Sequence, residues 1–317
     1  MEILPGIHQI NVDVGNRFLF QYVFVGERIV VADSGVKDVP EKAILPYVTG
    51  LGRPLSDIWM LVVTHGDADH FGGNDAIRRG VPSAIIACPR ADLPWVESRE
   101  LALVERYSQL DQHGISYSPQ TKGFIADMMG PDTGVDLALS GGEILRLDDS
   151  RELELVNLPG HTPGHMGLYD SKNRAAFIAD AVLGRGCPDT AGNIILPGLY
   201  NDPDTYLGTV RRLEELEPEH LFLSHYLPKE GKEVAAFLKE TRDFVEKTEE
   251  AVISILEKQR GHLTLRDIWT EADPILGSFG TQWVELAISI KGHLDRLVRS
   301  KRAEQGRKNG LPCWWLA

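Results

Sequence analysis

Between residues 7 and 33 the apolar positions come in short runs, Ile7 to Val12, Phe18 to Val25 and Arg28 to Ala32, separated by Gly15-Asn16 and Gly26-Glu27. Runs rich in β-branched and aromatic residues between such turn pairs predict meandering strands. Val39–Leu51 then has helical spacing, Ser56–Val63 reads as a strand, Asn74–Gly80 as a helix and Ser83–Cys88 as a buried strand. This strand, loop, helix, strand order is the rhythm of an α/β fold.

Residues 92–135 break the rhythm. An amphipathic stretch, Val96–Leu110, is followed by Gly- and Pro-broken sequence carrying Phe124, Met128 and Met129, and the whole segment reads as an insertion. Strands resume at Glu143–Leu147, Glu152–Leu158, Gly167–Tyr169 and Ala175–Ile178, with a helix over Pro203–Leu216 and a last strand at His220–Leu223. Beyond residue 229 the pattern is helical: Val234, Phe237, Leu238, Phe244, Val245, Val252, Ile255 and Leu256 trace one apolar face. Thr264-Leu265-Arg266-Asp267 has capping-box character, Val284–Val298 reads as a further helix, and Arg302–Trp315 holds a Gly-bounded turn. The expected organisation is a domain over 1–229 and a helical, winged-helix-like module over 230–317.

At 317 residues, 43% of them hydrophobic, the chain can bury a full core. The formal charge of −13, from 46 acidic and 33 basic side chains, disfavours nonspecific attraction to nucleic acid or anionic membrane. Residues 291–317 run the other way, with Lys291, Arg296, Arg299, Lys301, Arg302, Arg307 and Lys308 against Asp295 and Glu304. That leaves nucleic acid open as a partner of the terminal module. Cys88, Cys187 and Cys313 have no paired spacing, the amino terminus lacks a signal-peptide pattern, and no run of about 18 apolar residues occurs. A cytoplasmic protein without a membrane partner is expected.

Candidate chemistry lies where apolar runs end. Thr64-His65-Gly66-Asp67-Ala68-Asp69-His70 follows Ile58 to Val63; Asp33, His161 in Pro159-Gly160-His161-Thr162-Pro163-Gly164-His165, Asp180 and His225 each trail another run. Imidazole and carboxylate suit zinc, iron or manganese, and two ions sharing a hydroxide would provide a nucleophile and a Lewis acid at neutral pH. These five elements, in this order over residues 7–228, resemble the metallo-β-lactamase superfamily, whose motif is His-x-His-x-Asp-His, then Gly-His-Thr-x-Gly-His, an Asp and a His.

The resemblance implies an α/β fold, a four-layer αβ/βα sandwich with metals at one edge. It implies a first ion held by His65, Asp67 and His161, a second by Asp69, His70 and His225, and Asp180 bridging, with Asp69 and Asp180 taking part in catalysis. Asp33 would support the histidine loop by hydrogen bonds, His165 would be a satisfied structural histidine, and Tyr226 would help orient substrate. Asp67 departs from the pattern, which has histidine there. It raises the ligand charge from −2 to −3, which favours iron or manganese beside zinc as the two divalent ions. Flavodiiron proteins carry an acidic residue at that position, but residues 230–317 lack the flavodoxin-like module they need.

The leading expectation is a hydrolase whose metal-bound hydroxide attacks an ester, thioester or lactone carbonyl, with Trp95, Phe124, Met128 and Met129 of the insertion walling a pocket for a small-molecule substrate. The alternatives are a metal-dependent nuclease or phosphodiesterase, a diiron redox protein, and a non-catalytic metal-binding regulator. A homo-oligomer is left open.

Overall fold

The structure, a computed structural model, describes residues 1–280 and 284–317. Strands β1 (Glu2–Leu4), β2 (Ile7–Val14), β3 (Arg17–Val25), β4 (Ile29–Ala32), β5 (Ile58–Val62), β6 (Ile85–Pro89) and β7 (Leu137–Leu139) form one sheet in sequence order. The first four pair antiparallel through short turns, and β4 to β7 run parallel across helical connections.

A second sheet contains β8 (Ile144–Asp148), β9 (Arg151–Asn157), β10 (Met166–Asp170) and β11 (Ala175–Ala179). After a separate hairpin, β12 (Gly186–Pro188) and β13 (Ile194–Pro197), it is completed by β14 (His220–Leu223) and β15 (Lys229–Glu230), in the order β15-β14-β11-β10-β9-β8.

The period-2 alternation of β3 shows how the layers assemble. Tyr22 and Phe24 enter a core between the two sheets, where the Tyr22 ring lies 4.7 Å from Phe177 and 5.5 Å from Phe222. Val23, on the opposite face, joins a second cluster with Val39, Ile44 and Ile77 from helical segments. The outer face of the second sheet, including Ile178 and Leu223, clusters with Val210 and Leu213 of the helix Pro203–Leu216. The result is a four-layered αβ/βα sandwich.

The segment 92–135 is more broken than its periodicity predicts. Leu93–Glu97 ends at Ser98, which caps the short turn Arg99–Leu101, and a π-helical turn Ala102–Arg106 follows. A helix unread in the sequence spans Pro119–Met128; Ser118 caps it and Pro119 occupies its first turn, where no amide hydrogen is needed.

At the carboxyl end, the helix Lys232–Gln259 is followed by β16 (Leu263–Thr264), helices Leu265–Leu276 and Glu285–Arg299, and the hairpin β17 (Ala303–Lys308) and β18 (Leu311–Leu316). Thr264 and Asp267 form a reciprocal capping box. β18 pairs with both β16 and β17. Residue 229 is not a break in the core, since Val245, Leu286 and Ile288 belong to the same cluster as Ile178 and Leu223. No helix among the described residues is long and apolar enough to cross a membrane.

Candidate metal centre

Strands β4, β5, β9, β11 and β14 share a direction within their sheets, and each delivers a chemical side chain just past its carboxyl end: Asp33, His65, His161, Asp180 and His225. Two cross-sheet hydrogen bonds close this edge, from Met166 N to Thr64 O at 3.0 Å and from Phe20 N to Ser224 O at 2.8 Å. Residues distant in sequence therefore meet in one buried cluster.

Four imidazoles are anchored in the same sense. Nδ1 of His161 lies 2.9 Å from Leu199 O, and Nδ1 of His225 lies 2.7 Å from Phe18 O. A carbonyl only accepts, so each Nδ1 carries a proton and, in the neutral ring, each Nε2 presents a lone pair. Nδ1 of His70 meets Asp33 Oδ2 at 2.8 Å. Nδ1 of His65 meets Thr64 Oγ1 at 3.0 Å, while that hydroxyl donates to Asp33 Oδ2 at 2.9 Å. Asp33 also accepts from Thr64 N at 2.7 Å, so one carboxylate fixes both histidines of the loop.

The lone pairs converge on two foci. One group comprises His65, His161 and Asp180, and the other Asp69, His70 and His225; within each group the donor atoms lie within 4.8 Å of one another. Donors sharing a tetrahedral ion at ordinary bond lengths sit about 3.3 Å apart. Asp180 Oδ2 is 3.5 Å from His70 Nε2 and 3.2 Å from His225 Nε2, and Asp69 Oδ2 is 3.4 Å from His225 Nε2. Nε2 of His65, Nε2 of His70 and Asp180 Oδ1 are buried without a hydrogen-bond partner among the described residues. Orphaned donors of this chemistry, spaced this way, fit a pair of divalent cations.

The electrostatics agree. Burial would lower the pKa of His70 and His225, but Asp33, Asp180 and Asp69 around the first, and Asp180 chiefly around the second, raise both well above the usual value. Burial would likewise raise Asp180, but His225 and His70 hold it well below the usual carboxylate range. The cluster is a strongly cation-attracting field.

Asp67 stands at the first focus, with Oδ2 2.9 Å from His161 Nε2 and 3.6 Å from His65 Nε2. It is also gripped by Arg106, whose Nε donates to Oδ1 at 2.7 Å and Nη2 to Oδ2 at 2.9 Å. Burial pushes this carboxyl up, yet the Arg106 charge and hydrogen bonds leave it well below its ordinary pKa. One of the three negative charges of Asp67, Asp69 and Asp180 is thus offset by a cation the sequence did not single out. Arg106 sits in the inserted segment, and a lone arginine in an amphipathic stretch gives no signal of its own.

Asp92 is a second residue missed in the sequence. It accepts from Gly66 N at 3.0 Å, from Thr162 Oγ1 at 2.5 Å and from Gly164 N at 2.7 Å, tying the two histidine loops together. It trails β6, so the strand-end rule that singled out Asp33 applied to it too.

Other expectations change. His165 stacks on His65 at 4.5 Å and accepts from Asp180 N at 3.3 Å, but its buried Nδ1 finds no partner among the described residues, so it is only half satisfied. Burial, then the neighbouring His65, hold it well below its usual pKa and hence neutral. Tyr226 is held by the scaffold: its hydroxyl donates to Leu183 O and Gly186 O, and its ring packs on Phe237. Of the four insertion residues expected at a pocket wall, Phe124 and Met128 line the cavity beside the donors, whereas Trp95 and Met129 do not. The cavity, about 120 Å³, is bounded further by Tyr117, Ile125, Leu183, Leu196 and Leu199, and by Ile288 from the helix Glu285–Arg299.

The family model described as the metallo-beta-lactamase superfamily matches residues 13–225. A probable metallo-hydrolase of Bacillus subtilis is 25% identical over 75% of this chain and 90% of its own length. A hydroxyacylglutathione hydrolase of Mesorhizobium japonicum is 37% identical over 49% of this chain and 45% of its own. The crystal structure of a metallo-beta-lactamase family protein from Thermus thermophilus superposes over the full length of both chains with a TM-score of 0.75 at 18% identity, which shows the shared fold. A strand-end donor set at the open edge of an αβ/βα sandwich and a family match across that whole region lead to one conclusion: the chain belongs to the metallo-beta-lactamase superfamily and is a hydrolase of that family.

Proposed function

We propose that this hydrolase is metal-dependent and cleaves an ester, thioester or lactone whose acyl portion is apolar. The observation that carries the reading is the junction of two donor foci with a cavity walled by Phe124, Ile125, Met128, Leu183, Leu196 and Leu199. Hydroxyacylglutathione, named for the Mesorhizobium relative, is a thioester, which supports the same bond class.

His65, Asp67 and His161 would hold one divalent ion and Asp69, His70 and His225 another, with Asp180 between them. Zinc is favoured once Arg106 offsets Asp67. Bound there, the ions would supply a nucleophile at neutral pH and a Lewis acid for the carbonyl oxygen. Asp69 handles the proton. Asp69, which lies 3.4 Å from His225 Nε2 at the second focus, would take the proton of the attacking water. The new C–O bond forms as the acyl bond to oxygen or sulfur breaks, and Asp69 returns the proton to the departing alkoxide or thiolate.

Four basic residues of the tail are held in internal pairs, which weakens the case for a nucleic-acid substrate. Arg296 and Arg302 pair with Glu249, Arg299 with Asp202, and Lys291 with Asp295. The test is Asp180→Asn assayed against short- and long-chain esters, thioesters and lactones. Turnover should fall by about two orders of magnitude or more; undiminished turnover would sink the mechanism.

A further inference from the structure

The Asp67–Arg106 pair is a feature of the centre that the histidine pattern at this position does not call for. Arg106 is almost fully buried, at 2% side-chain exposure. Its Nη1 reaches Asn201 Oδ1 at 3.2 Å, while its planar fork faces both oxygens of Asp67. Beside it the Tyr107 hydroxyl accepts from Ala68 N at 2.8 Å and lies 3.4 Å from Asp67 Oδ1. The carboxylate is thereby fixed in rotation. Oδ1 is occupied by Nε of the arginine. Oδ2 uses one lone pair on Nη2 and turns the other toward the Nε2 atoms of His161 and His65.

From this geometry we infer that Asp67 and Arg106 act together as the charge equivalent of a single imidazole, Asp67 ligating the first metal through Oδ2 while Arg106 cancels its charge and fixes its orientation. The inference rests on the metal-dependent reading above. Asp67, Asp69 and Asp180 contribute −3 and Arg106 +1, so the centre keeps the −2 it would have with a histidine at position 67 and no arginine. The two positions need each other: a buried guanidinium stripped of its carboxylate is strongly destabilising, and a bidentate pair resists rotation as a single hydrogen bond does not. Arg106 is therefore a positioning residue, and it lies on the same segment that lends Phe124 and Met128 to the cavity.

The test is a cycle of three variants, Arg106→Met, Asp67→His and the double variant, each checked for folding by circular dichroism. Metal per chain is measured by plasma mass spectrometry after repletion with zinc and dialysis, together with the pH profile of kcat/KM. Wild-type protein should retain about two ions. Asp67→His, which leaves Arg106 unpaired beside an imidazole, should lose about one ion per chain. Arg106→Met should keep its metal but move the acid limb of the profile upward by about one pH unit, since the centre gains a negative charge. The double variant should regain both the wild-type metal content and the wild-type limb. If Asp67→His holds two ions beside an intact Arg106, or the double variant does no better than Asp67→His, the inference is overturned while the hydrolase reading stands. Wild-type protein that takes up no metal overturns both.

Discussion

Asp33 Oδ2 lies 2.8 Å from Nδ1 of His70, and through this contact a residue at the end of β4 sets the tautomer of a histidine thirty-seven positions away. Asp33 also accepts from the Thr64 backbone and hydroxyl, with its own φ at 61°, a left-handed value that aspartate tolerates better than most residues. Asp33→Asn keeps the shape and backbone tolerance but offers an amide where a carboxylate stood. Metal affinity is expected to fall by about 10- to 100-fold, read by titration against a chromophoric chelator, with little change in secondary structure.

Phe124 is 53% exposed yet borders the cavity, so shortening it removes pocket wall without emptying the core. Phe124→Ala should raise KM for long-chain acyl substrates by about tenfold, the loss of roughly 1–2 kcal/mol of apolar contact. Acetyl substrates should be nearly unaffected. Equal effects on both would place the acyl chain elsewhere.

Tyr226 next to His225 holds the Leu183–Gly186 turn and makes no contact with the donor foci. Tyr226→Phe should therefore cost stability, about 1 kcal/mol for a lost buried hydrogen bond, in urea or thermal unfolding. Its kcat should change by less than about threefold, in contrast to the orders of magnitude expected for a group acting on the reacting atoms.

Glu249 fastens the last helix to the helix Lys232–Gln259. His293, Arg296 and Arg302 surround it, and the nearby His293 at 3.5 Å, offset in part by burial and joined by the Arg296 charge, holds its pKa down at about 2 against the ordinary 4.5. A depressed carboxylate contributes stability that is complete above about pH 4.5 and drains away as the pH falls toward about 2. The melting temperature of Glu249→Gln should lie below wild type at neutral pH, and the gap should narrow on acidification. A gap that stays constant down to pH 3 would remove Glu249 from the account of acid sensitivity.

Most of the donor set was legible in the chain because its signal is local. A strand buried on both faces is a continuous apolar run, and a polar ligand at its end stands out against it; Asp33, His65, His161, Asp180 and His225 were all visible in this way. Pro203–Leu216 and His220–Leu223 have the same bounds in sequence and structure because turn residues frame them. Asp92 could have been read by the same rule. Pro119–Met128 was obscured by Gly123, although its Ser118-Pro119 start is a recognisable cap.

The sequence by itself determined which residue types end which strands, and so that a cluster of histidines and carboxylates was on offer. Only the tertiary structure decided how each imidazole is turned, because the acceptors for His161 and His225 are backbone carbonyls of Leu199 and Phe18, and a carbonyl has no residue-type signature. It alone decided that the charge of Asp67 is cancelled, because Arg106 reaches it from a segment thirty-nine residues away whose pattern reports a half-buried turn and not its neighbour. It also brought Ile288 of the carboxyl-terminal helices to the cavity wall. An apolar side chain records in sequence only that it is buried; what it is buried against is fixed by the packing of the whole chain.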